Sequence, residues 1–98
     1  MLVANAEIKF TLEEKSYSAK PLWVAFNFGP GLLFTGEIVS EHTTYSYNET
    51  YGVNVNFFTV EDEAYNALQS VLVPGLGVTM QAGSRILGTA QLSNFVFS

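Results

Sequence analysis

The sequence predicts a small all-β domain carrying one helix, and three observations lead there. Several short stretches alternate apolar and polar residues with period two. Glycine and proline punctuate those stretches, and a helical period occurs once, near the middle of the second half. The 98 residues are 48% hydrophobic and 13% charged, a balance that supports a packed core rather than disorder. A chain of this mass is expected to expose about 5,500 Å² when folded, as one domain spanning residues 1–98.

Ala4 to Glu13 is the clearest strand, with Ala4, Ala6, Ile8, Phe10 and Leu12 on one face and Asn5, Glu7, Lys9, Thr11 and Glu13 on the other. Residues 14–20 are polar and read as a loop, after which Pro21 suits the first position of a second strand, Leu22 to Phe28. Gly29-Pro30-Gly31 ends it. Leu32 to Val39 forms a third strand, in which Gly36 marks a bulge, a barrel corner or a close approach. The segment Ser40 to Gly52 is polar with three tyrosines, and Val53, Val55 and Phe57 then alternate with Asn54, Asn56 and Phe58 as another strand.

The period changes at Val60. Val60, Ala64, Ala67, Leu68, Val71 and Leu72 recur at helical spacing, Glu61, Asp62 and Glu63 place negative charge in the first turn, and Thr59 with Asp62 resembles a capping box. A helix over residues 60–72 follows, ended by Val73-Pro74-Gly75. Leu76 to Ala82 and Ile86 to Leu92 are strands joined by a hairpin at Gly83-Ser84, and the apolar residues Phe95, Val96 and Phe97 should pair or pack. Six or seven short strands and one helix form a small antiparallel barrel or sandwich, with the helix across an opening or edge.

Composition excludes several classes of function. Four basic residues against nine acidic ones give a net charge of −5, which disfavours nucleic acid and anionic membranes and suits a basic or neutral protein partner. No stretch of about 18 apolar residues exists to span a membrane, and without cysteine there is neither a disulfide framework nor a thiolate metal site. The opening residues lack a secretory signal pattern, so a cytoplasmic chain is expected. Asn48-Glu49-Thr50 matches a glycosylation sequon, a pattern common by chance.

No catalytic constellation is recognisable, and no metal or cofactor is expected. His42 is the single histidine and Asp62 the single aspartate, so one histidine in a polar loop reads first as a solvated residue. Glu37 and Glu41 form a glycosidase pair only at the right separation. The residues best suited to binding are Tyr45, Tyr47 and Tyr51, set among Ser, Thr and Asn as in protein-binding loops, together with Trp23. Their competing reading is an ordinary half-exposed sheet face. Glu61, Asp62 and Glu63 would steer a basic partner.

A glutamate-led alternating strand (Glu7 to Leu12) opens the chain, Lys20-Pro21 leads into an aromatic strand, and Thr35-Gly36-Glu37-Ile38 follows. Gly83-Ser84-Arg85-Ile86-Leu87-Gly88 forms the final hairpin. In this order the motifs resemble the C-terminal β-barrel, the third domain, of translation elongation factor Tu, over about nine-tenths of the chain. The resemblance implies a six-stranded antiparallel Greek-key barrel and no GTP chemistry, because the phosphate loop belongs to another domain of that family. The helix at residues 60–72 replaces a His-Pro-Ile segment there, and the basic surface that meets transfer RNA has no counterpart, so no functional residue carries over.

Three functions are therefore expected in order: a non-enzymatic protein-interaction module; a small-ligand barrel or weak hydrolase with its site near His42; and a subunit that self-assembles through Asn94 to Phe97, making a homo-oligomer.

Overall fold

The computed structural model describes residues 1–13, 17 and 22–98. Six strands and one helix follow in order: β1 (Leu2–Phe10), β2 (Leu22–Asn27), β3 (Leu33–Val39), β4 (Thr50–Phe57), α1 (Asp62–Leu68), β5 (Leu76–Ala82) and β6 (Arg85–Phe97). All neighbours run antiparallel, and the strands close into a barrel in the order β1-β4-β3-β2-β5-β6. Strands β1 to β4 form a Greek key, since β1 lies beside β4 rather than beside its own successor. The all-β barrel is the predicted fold, and the accessible surface of 5538 Å² matches the size expectation.

Alternation fills the interior. Leu2, Ala4, Ala6, Ile8 and Phe10 from β1 meet Val53, Val55 and Phe57 from β4, with Val24, Phe26, Ile38, Val78, Met80, Ala90 and Leu92 completing the core. Gly36 faces inward as a close approach: a Cβ there would come within 2.6 Å of Val55 and 2.9 Å of Phe26. The missing side chain leaves room for Phe26 and Phe57 to pack edge to face at 5.2 Å.

Strand β6 runs unbroken through what the sequence divides into a strand and a separate apolar tail. Pairing with β1 shifts register between Val3↔Val96 and Asn5↔Ser93, and Asn94 adopts φ 53 there. The inserted residue inverts the parity, so Thr89 and Gln91 face outward while Phe95 and Phe97 turn toward the core. A period-two reading of the sequence ends where that parity changes.

Other boundaries differ for local reasons. Strand β1 ends at Phe10 rather than Glu13, because the Thr11 and Leu12 amides both turn to donate to the Leu87 carbonyl. Strand β4 starts at Thr50, earlier than Val53. The helix spans Asp62–Leu68 instead of residues 60–72, with Glu61 at its N-cap and no side-chain cap bond, so the Thr59–Asp62 capping box does not form. Val60 is buried ahead of the helix, in a turn whose amide donates to the Phe57 carbonyl.

Two lids close the barrel. At the Leu2 end, Val60 and Leu68 are buried and Tyr65 stacks on Phe97 at 4.0 Å and 5°. At the Phe10 end, Tyr17 stacks on Phe10 at 4.0 Å, Tyr45 packs at 5.8 Å, and their backbones bridge. Tyr17 therefore belongs to the core, not to a polar loop; the Lys20-Pro21 lead lies outside the described residues.

Gly88 pairs with Phe10, and a Cβ on it would overlap the Lys9 carbonyl oxygen. Gly36→Ala is expected to destabilise by about 1–3 kcal/mol, because the side chains around it can shift. Gly88→Ala is expected to cost more, because its obstacle is backbone. Urea unfolding of the two variants would test that ranking, and equal stabilities would contradict the packing described.

Candidate functional site

The three tyrosines do not share a surface. Tyr45 is 2% exposed, and its hydroxyl meets the Ser40 hydroxyl at 2.5 Å, so the expected binding role of Tyr45 gives way to a place in the core. Tyr51 is half-buried, edge-on to Tyr45 at 5.0 Å; its hydroxyl accepts from the Ser46 amide and donates to Glu49. Tyr47 alone is open, at 43%. The segment that looked like a binding loop is a lid, in which aromatic rings seal the Phe10 end and hydroxyls satisfy the turn.

His42 is exposed and rests edge-on against Tyr51 at 4.9 Å, while its backbone amide donates to Ser40. Asp62 begins the helix at the opposite end of the barrel. Tyr51 pairs with Ile8 and Phe57 with Leu2, so those ends are separated by about 20 Å of strand. His42 and Asp62 therefore form no triad. Among the described residues no group of three or more His, Asp or Glu gathers to hold a metal. Phenylalanines fill the interior, and the cleft that His42 lines lies outside it, on the outer face of the strands.

The outer face is built by the same alternation as the core. Trp23 pairs with Glu37, Glu37 with Asn56, Asn56 with Val3 and Val3 with Val96, one outward row across five strands. Trp23 is 48% exposed and meets Phe58, 45% exposed, at 5.7 Å between ring centroids. Glu37 accepts a long hydrogen bond from Asn56 beside them. Glu61 lies three residues beyond Phe58 and 3.6 Å from the N-terminal amine, with Asp62 and Glu63 exposed at the same end. Phe58 was absent from the sequence-derived candidates. Its signal was an aromatic ring at the outward position of the Val53-to-Phe58 alternation, where Asn54 and Asn56 precede it.

The next outward rows are polar apart from Val39, which pairs with Asn54. Asn94 donates to Asn5 and Asn5 to Asn54; beyond them Gly52, Glu7, Gln91 and Gly77 lie in register across β4, β1, β6 and β5. A cleft of about 660 Å³ crosses these rows, walled by Ser40, Glu41 and His42 on one side and Gly75 on the other. Asn94 to Phe97 pairs with β1 of the same chain along one edge, while β5 pairs with β6 only as far as Leu92.

No helix among the described residues is long and apolar enough to cross a membrane. Comparison with protein-family models, curated proteins and solved structures finds no match to this chain.

The lid and the outer face separate in stability. Tyr45→Ala is expected to cost about 3 kcal/mol or more, as for truncation of a buried aromatic ring, and Tyr47→Ala less than about 0.5 kcal/mol. Thermal unfolding checks this, and a Tyr45→Ala protein as stable as the parent would contradict the lid.

Proposed function

We propose that this chain is a non-enzymatic interaction module that docks a basic or neutral protein partner on the outer face of its barrel. The observation that carries the proposal is the Trp23–Phe58 pair, two large rings in contact and about half exposed, with Glu37 and Asn56 beside them and the exposed Val96 farther along the same outward row. Two adjacent, half-exposed aromatic rings form the kind of apolar patch that marks a contact surface, and aromatic residues are enriched at protein interfaces, with Trp prominent among those that dominate binding energy.

The surroundings favour a cationic partner. Glu37 stands beside Trp23, and Glu61, Asp62 and Glu63 follow Phe58, on a chain of net charge −5. Carboxylates around an apolar centre speed the approach of a basic protein and repel acidic ones, including nucleic acid. The motif order that resembles the third domain of elongation factor Tu is compatible with this proposal, as a barrel presenting its outer face to another protein. A cytoplasmic setting is part of the same proposal.

Capture from a lysate, with the protein as bait, tests it. Trp23→Ala and Phe58→Ala should keep the parent's melting temperature within a few degrees while weakening capture at least about tenfold. Raising salt to about 0.5 M, where the Debye length is about 4 Å, should slow association, as should neutralising Glu61, Asp62 and Glu63 together. Capture unaffected by both ring truncations would overturn the proposal.

A further inference from the structure

The cleft beside the aromatic pair has its own chemistry. Its floor is the outer face of β4, β1 and β6, where Gly52 carries no side chain and lets a ligand approach the backbone. Asn5, Asn54, Gln91, Ser40 and Ser93 supply neutral hydrogen-bonding groups, and Glu7 and Glu41 supply two negative charges. Among the described residues no Lys or Arg lines it; Lys9, one outward position beyond Glu7, belongs to the adjoining hollow.

The chain uses only part of this polar capacity. The amide ladder runs from Asn94 through Asn5 to the Asn54 carbonyl oxygen at 2.9 and 2.5 Å, leaving the Asn54 amide nitrogen outside it. Among the described residues, the side chains of Glu7, Gln91, Glu41 and His42 have no hydrogen-bond or ion-pair partner. Side-chain amides both donate to and accept from peptide groups, whereas bare carboxylates call for a cation. The width across three strands, about 10 Å between outer strand axes plus flanks, accommodates about four residues of extended chain.

We infer that this cleft binds an extended, lysine-bearing segment of a polypeptide, with the amides holding its backbone and Glu7 and Glu41 its ammonium groups. The inference rests on the docking proposal above and specifies the second half of that interface. Trp23 and Glu37 lie one outward row from the Val39–Asn54–Asn5 row that lines the cleft, so one partner reaches both.

The test is an amide-resolved NMR titration with a capped Thr-Lys-Thr-Lys-Thr peptide, its glutamine counterpart, and spermidine. Saturable shifts confined to Gly52, Asn54, Gln91, Ser93 and Gly75 are expected with the lysine peptide. Glu7→Gln and Glu41→Gln should each weaken binding about threefold, the scale of one exposed ion pair. Equal binding of the glutamine peptide would overturn the charge assignment, and equal affinity for spermidine at the same amides would overturn the role of the peptide backbone. Shifts scattered over the barrel would overturn the site. The Trp23→Ala protein separates the two proposals: it should bind the peptide as the parent does, because Trp23 does not line the cleft. A partner captured through Trp23 with no effect of Glu7→Gln would sink the cleft and leave the docking surface standing.

Discussion

Strand β1 holds this molecule together, and it does so only because β6 passes it without a side chain at Gly88. β1 pairs along its length with β4 on one side and β6 on the other, so it is where the first and last parts of the chain meet. A residue with a Cβ at position 88 would meet the backbone of Lys9 and Phe10, just where the tyrosine lid seats on the Phe10 ring. Closure there also removes the edges that would leave a small sheet open to pairing with other chains.

Closure decides where function can reside. Inside, Phe26, Phe57, Met80 and their neighbours fill the space that Gly36 leaves, so the interior is core rather than ligand cavity. Both ends are lidded, one by aromatic rings from the Tyr17 and Tyr45 segments and one by the short helix. What remains is the outer face of the strands, where alternation sets Trp23 beside Phe58 and an amide-rich cleft next to them. The proposed activity is thus recognition by a rigid surface.

The fold was legible because it is written in alternation. β1 to β5 are each predicted within a few residues, and the helix in kind though not in length, since Val60 and the residues after Leu68 pack without being helical. Of the candidate site residues, only the outward placement of some was legible. Trp23 and the three acidic residues sit outward as their positions in the pattern require, but Tyr45 and Tyr51 share the polar composition of a recognition loop and are turned inward by the open barrel end. Local composition does not encode that turn; it depends on Phe10, some thirty-five residues away, offering a ring to cover. The bulge at Asn94 was hidden for a similar reason: Asn tolerates the positive φ it adopts there, but the offset is visible only in the pairing of β6 with β1.

The proposed docking surface requires that partners be met on the Trp23–Phe58 face and not at the tyrosine lid. Site-specific photocrosslinking in cells tests this most directly, with a benzophenone amino acid placed at position 58 and, separately, at the exposed Tyr47. One discrete adduct is expected from position 58, disappearing when Trp23 is also truncated, and none from position 47. An adduct formed from position 47 and absent from 58 would contradict that docking surface.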